Sequence, residues 1–275
     1  MASAIAVDND MQPSPRVTID IDPTDLDPAT SAAIVVQISQ WGEVPVNRMP
    51  RLVAGGLIVV DYEAPLGVPL IYRVRQFDAS GADIGLSTLS LAGELEAAFG
   101  KVVISDPMAP ANAVILDADA AFAGVRTRTR PTKLYQAGGS TFAMSGLYSA
   151  MQGVNLNCFT DTAEDAIALS KILEQPLILV RAHPRTGIPG AFYATVPEVI
   201  ADSTDQARFG RLTNLWQLVA DQLSRPAIEI QVAIYSYDLF KQYLDTKYPP
   251  EATYDDAARE WTTYIDALRN PPSDV

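Results

Sequence analysis

Histidine and cysteine are nearly missing from this chain of 275 residues, which holds one of each, His183 and Cys158. A single cysteine excludes an internal disulfide, and one histidine with one cysteine cannot build a zinc site without carboxylates. A Ser-His-Asp or Cys-His enzyme would have to use His183. That residue sits in Arg181-Ala182-His183-Pro184-Arg185, just past a predicted strand, and reads as a surface-loop histidine. No Gly-x-Ser-x-Gly elbow accompanies it. Phosphate-binding loops and dinucleotide fingerprints are also missing, and Gly138-Gly139-Ser140 reads as a loop. No apolar run approaches the ~18 residues of a membrane span. No basic start followed by an apolar stretch suggests a secretory signal, so synthesis in a cytoplasm is expected. Cys158 reads as a small buried hydrophobe. No catalytic residue, cofactor or metal is expected.

Positive charge is scarce as well. Twenty lysines and arginines face 33 aspartates and glutamates, a net charge of −13. Such a chain repels phosphate backbones and anionic membrane surfaces, so neither nucleic acid nor a membrane is an expected partner. Hydrophobic residues make up 48% of the sequence, enough for a sizeable core.

Residues 1–14 are small and polar, with Pro13 and Pro15 close by, and read as a flexible N-terminal arm. From there to residue 92 short alternating segments follow one another: 17–22, 34–38, 57–62, 70–77 and 84–91. Asp78-Ala79-Ser80-Gly81 marks a hairpin between the last two. Short strands with turns and no helices between them predict a β-sandwich over 15–92. Gly93 to Gly100 breaks the alternation and reads as a linker. A second β-rich domain is predicted over 101–235, with strands at 101–104, 113–116, 125–130, 153–159, 177–181, 192–196 and 212–219. Its one clear helix begins after Thr162, whose side chain can cap it with Asp165 at capping-box spacing. Ala166, Leu169, Ser170 and Leu173 share one face, and Pro176 ends it. Residues 236–275 change character again and predict two short helices, one near 237–244 and one over 254–268 capped by Thr253. The fold class expected is therefore mainly β: a sandwich, a second β domain with one helix, and a short helical end.

Candidate binding residues are few. Arg126, Arg128 and Arg130 alternate, so an extended strand places them on one face, and Lys133 extends the row. This row reads either as an exposed edge-strand face or as a contact with acidic residues of a neighbouring copy. Trp261, Tyr264 and Leu268, with Ile265, form an apolar helix face that must dock on its own domain or on a neighbour. Asp20, Asp22, Asp25 and Asp27 could hold calcium but lack the EF-hand glycine and glutamate, and read as a solvated strand end and turn. Asp117 and Asp119 share a strand face, a weak site by themselves. Trp41, Tyr62, Tyr72 and Trp216 could stack on sugars, giving a carbohydrate-binding module as the alternative reading. A cell-wall hydrolase is the third reading, disfavoured by the missing histidines and elbow.

The order of segments carries a resemblance. Val60-Asp61-Tyr62-Glu63-Ala64-Pro65-Leu66-Gly67-Val68-Pro69-Leu70 closes the first domain's pattern. Ile104-Ser105-Asp106-Pro107-Met108-Ala109-Pro110 opens the second. Gly153 to Asp165, Pro176 to Arg181, Leu215 to Val219, and the ending Thr253-Tyr254-Asp255-Asp256-Ala257 with Trp261 to Leu268 follow in order. Over roughly residues 15 to 270 the chain resembles minor tail proteins of bacteriophages of actinobacteria, of the distal-tail-protein kind. The resemblance implies a β-sandwich, a tail-tube-like β domain and a helical end. It implies a structural, non-enzymatic virion protein at the tail tip (baseplate region), joining the tail tube to the host-binding apparatus. The expected assembly is a homo-oligomeric ring, commonly a hexamer. Expected partners are further copies of the chain, the tail tube protein, the tape measure protein and other minor tail or baseplate proteins.

Overall fold

The computed structural model describes residues 2–9, 14–96, 100–120, 122–124, 126–130, 132–137, 140–145, 147, 149–183, 189–203, 214–226, 244–245, 247–248, 256 and 259. The chain is mainly β, as its alternation requires. Two apolar cores form, one from the first hundred residues and one from those that follow.

The first core lies between two antiparallel sheets. Its strands are β1 (Ala4–Asp8), β2 (Arg16–Ile21), β3 (Ala32–Ser39), β4 (Gly42–Pro45), β5 (Arg51–Leu52), β6 (Leu57–Asp61), β7 (Leu70–Phe77), β8 (Asp83–Leu86) and β9 (Leu91–Gly93). One sheet runs β1-β2-β6; the other runs β4-β3-β7-β8, with β5 on β3 and β9 on β7. The period of two decides which side chains enter. Val17, Ile19 and Ile21 point inward from one sheet, and Val35, Leu70, Tyr72 and Val74 meet them from the other. The β7–β8 turn forms because the Asp78 carboxylate accepts from the backbone N–H of Ser80 and Ala82, while Gly81 takes a φ of +84°.

Three expectations for this half need correction. Residues 1–14 are not a free arm throughout, because β1 pairs with β2 from Ala4↔Asp20 to Asp8↔Arg16. Ile5 and Val7 lie against Gly93, where an added Cβ would stand 3.0 Å from Ile5 Cδ1, so a short polar-looking segment still completes a sheet. The 84–91 strand is two strands, because Ser87 turns inward, donating its N–H to Val74 O and accepting the Val74 N–H on Oγ. The 93–100 linker starts late: Leu95 is fully buried in the sandwich core and bridges to Leu66.

The second core lies inside a closed barrel. Its elements are β10 (Lys101–Asp106), β11 (Ala109–Ala118), β12 (Thr132–Ala137), β13 (Ser140–Ser145), β14 (Val154–Asn155), β15 (Cys158–Thr160), α1 (Ala163–Leu173), β16 (Ile178–Ala182), β17 (Ala191–Ser203) and β18 (Asn214–Leu223). The sheet runs β14-β18-β15-β11-β10-β16-β17, and β17 pairs back onto β18. Closure leaves no long unpaired edge around the ring. Val102, Ile104, Leu116, Cys158, Val180 and Leu218 fill the interior. Helix α1 begins as its sequence dictates: Thr162 accepts the Asp165 N–H at 3.0 Å and donates to the Asp165 carboxylate at 2.7 Å. Leu169 and Ile172 then enter the barrel core.

Here too the sequence pattern misleads in places. The alternating 125–130 segment is not a regular strand; among its described residues only Thr127 bridges, exchanging both backbone hydrogen bonds with Gln152. The 153–159 strand divides into β14 and β15, and β17 runs longer than 192–196. Ser140 starts a strand, and β12–β13 form a separate two-stranded ribbon. Of the helical end, Tyr248 N–H donates to Leu244 O, one helical turn. The 237–243 segment, Thr253, Trp261, Tyr264 and Leu268 lie outside the described residues.

Candidate functional site

The barrel's outer face at β10, β16 and β17 carries the densest chemistry in the molecule. Val103, Ser105, Leu179, Arg181 and Tyr193 alternate away from the barrel core and are paired across strands by register. On an isolated barrel they would meet water. All five are buried, because the sandwich covers them. Val103 is counted by contact into the sandwich core.

Arg181 is the centre of this joint, with no solvent exposure at all. Its Nη1 donates to Pro15 O at 2.8 Å and to Ala64 O at 3.3 Å, and its Nη2 donates to Ser14 Oγ. Every one of these acceptors belongs to the sandwich. A buried cation is costly unless countered, and the sandwich supplies the counter-charge through Asp61 and Glu63. Burial lowers the Arg181 pKa to about 10 while Asp61, Glu63 and Tyr72 hold it up, so the guanidinium stays charged at neutral pH.

Asp61 ends β6 on the inward side of the strand. Its Oδ2 accepts the Tyr72 hydroxyl at 2.9 Å, and its Oδ1 accepts the Glu63 N–H at 2.9 Å. Burial raises its pKa to about 6, the Glu63 charge adds to the rise, and the Tyr72 hydrogen bond opposes it. Burial beside that carboxylate pushes the Tyr72 phenol far above its ordinary range. An ion pair joins Arg225 Nε to Glu63 Oε2 at 2.6 Å, and Arg225 Nη1 also donates to Pro45 O. This is a close charge contact rather than an aligned hydrogen bond, since Arg225 Nε and the buried Tyr193 hydroxyl both lack a well-directed partner. The barrel side thus gives both cations and the sandwich both carboxylates. Gly190 completes the fit: a Cβ there would stand 2.9 Å from Pro65 Cβ and 3.0 Å from Trp41 Cη2.

The residues expected from sequence fall elsewhere. Arg128, Arg130 and Lys133 are exposed, and Arg126 is half-buried with its Nη1 donating to Ala123 O. Trp261, Tyr264 and Leu268 are outside the described residues. The aspartate series serves local structure. Asp22 caps the turn at Pro23–Asp25, Asp25 accepts the Ser3 N–H, and Asp27 accepts the Ala29 N–H. Among the described residues no group of three or more His, Cys, Asp or Glu could hold a metal ion. Asp117 pairs with Lys101 at 2.8 Å. His183 is exposed just past β16. Of the stacking candidates, Tyr72 and Trp216 are buried, with Trp216 Nε1 donating to Thr160 Oγ1. Tyr62 lies under the Arg16 guanidinium. Trp41 remains half-exposed beside the joint. Cys158 is enclosed, and burial pushes its thiol up to about 12, where it is inert.

Sequence reasoning missed the joint, although a signal existed. Arg181 interrupts the apolar run of β16, and Asp61 occupies the next inward place after Leu57 and Val59. A charge at an inward position of an alternating strand needs a partner. No family model, curated protein or solved structure matches the chain.

Proposed function

We propose that this chain is a structural subunit of a bacteriophage tail tip, forming a ring that joins the tail tube to the host-binding apparatus. On this reading it acts through contact, with no catalysis. Its partners are further copies of itself, the tail tube protein, the tape measure protein and other baseplate proteins. Its place is the virion, after synthesis in the host cytoplasm.

The observation that carries the reading is the set of exposed apolar side chains on the outer face of β17 and β18 among the described residues. Ile200, Val219 and Leu223 are each at least 40% exposed on a barrel whose strands are already paired. They alternate with Glu198 and Gln217 along that face, and a surface of mixed apolar and polar side chains suits contact between protein subunits. The buried joint supports it too, since a welded two-domain body can carry load between neighbours. A sugar-binding reading rests on Trp41 alone, whose ring edge is seated against Gly190.

Sedimentation of the purified full chain across a wide concentration range tests the proposal. Closed assemblies of several copies are expected. A monomer at the highest concentration, with the chain also missing from purified particles, overturns the reading.

A further inference from the structure

A groove of about 730 Å³ runs between α1 and the β10–β11 hairpin. Its apolar floor is Ala113, Ala168 and Ile172, with Ile167 exposed at its lip. Its polar rim is the exposed Glu164 and Glu174 against one cation, Lys171, with the buried Asp106 at the inner edge, where its Oδ1 accepts the Met108 N–H. Three carboxylates and one ammonium leave the groove with a charge of −2, around a floor that favours aliphatic stems. Arginine suits such a place, because its stem covers apolar surface while its head meets carboxylates.

The chain carries such a segment. Arg126, Arg128, Arg130 and Lys133 place four of the 20 lysines and arginines within eight residues, and no separate window of that length holds more than two. Arg128, Arg130 and Lys133 are exposed. The segment lies at the opposite end of the barrel from the groove. The β10–β11 hairpin turns at Pro107–Met108, beside the groove. The arginines follow the far end of β11, where Thr127 pairs with Gln152 and Met151 O accepts the Gln222 N–H near the end of β18. From Asn112 in the groove to Ala118 at the end of β11 is ~20 Å of strand. The acidic groove and the basic segment are therefore two ends of one body.

We infer that the Arg126–Lys133 segment of one copy docks in the α1 groove of the next. The inference rests on the ring reading and names its contact. Complementary surfaces at opposite ends of a subunit make a head-to-tail interface, which closes into a ring or continues as a filament according to the rotation per step.

A charge-swap experiment on the full chain tests it, read by sedimentation at low and high salt. One variant carries Arg128→Glu and Arg130→Glu; another carries Glu164→Lys and Glu174→Lys; a third carries all four. All four positions are exposed, so unchanged circular dichroism is expected. Each pair alone is expected to weaken self-association at least tenfold, and the fourfold variant to recover most of it. Salt is expected to weaken the wild-type contact, as for exposed charges. Should a pair of substitutions unfold the chain, Glu164→Gln with Glu174→Gln gives the same reading with a smaller loss. Self-association that persists unchanged in the groove variants overturns the docking assignment and leaves the ring reading standing. A wild-type chain that never self-associates overturns both.

Discussion

Replacing Arg181 by methionine tests the joint most sharply. Methionine keeps the stem's packing and removes only the guanidinium. Three acceptors in the sandwich lose their donor: Pro15 O, Ala64 O and Ser14 Oγ. Asp61 and Glu63 lose the favourable charge of Arg181 and keep that of Arg225. Leaving a buried acceptor unsatisfied costs about 1–3 kcal/mol, and three acceptors lose the same donor. These overlap, so about 4 kcal/mol is expected, a large share of the 5–15 kcal/mol typical of a folded domain. The assay is equilibrium urea unfolding, followed by circular dichroism and by tryptophan emission. Trp41 reports on the joint and Trp216 on the barrel interior. Wild type should unfold in one transition, because sandwich and barrel share Val103 and Arg181. Arg181→Met should lower the midpoint and separate the two signals. A loss below about 1 kcal/mol with coincident signals would mean that the guanidinium holds nothing that methionine cannot, and that Arg181 does not join the two domains.

Other expectations follow from the same geometry. Asp61 has a raised pKa, so the folded chain holds a proton that the unfolded chain releases between about pH 4 and pH 6. Its contribution is therefore present at low pH and lost as pH rises through about 6, by roughly 3 kcal/mol for a shift of two units; Asp61→Asn should flatten that slope in urea melts, and an unchanged slope would assign it elsewhere. Gly190→Val should push Pro65 and Trp41 away and cost about 1–3 kcal/mol, with altered Trp41 emission; a neutral result would mean that the two domains slide freely. Thr162→Ala removes the α1 cap and should cost about 1 kcal/mol by thermal melting, with no effect on the joint.

Much of the architecture was legible in the sequence, for a physical reason. Where one face of a strand meets a core and the other meets water, alternation records the fact, as in β2 and β7. Where both faces are covered, the alternation disappears, and β16 reads only as an apolar run. The cap of α1 was visible because Thr162 and Asp165 interact across three residues. The joint was not visible, because Arg181 and Ser14 are 167 positions apart and only the closed barrel brings them together. β1 was missed because it is short and is followed by polar residues and prolines, and its edge place needs only Ile5 and Val7. The 125–130 segment was misread for the opposite reason: threonine and arginine alternate strictly, yet among its described residues pairing is limited to Thr127 with Gln152 and Thr129 O with the Ser149 N–H. The groove beside α1 combines residues from a hairpin and a helix some 50 positions later, which no local pattern reveals.

The proposed role is to join copies of this chain within a tail tip. Electron cryo-microscopy of intact particles, with the sandwich and barrel fitted as one body, measures this directly. Density for several copies arranged about the tail axis is expected, each with its basic segment at its neighbour's α1 groove. Particles whose tail tip contains no density for this polypeptide would contradict it.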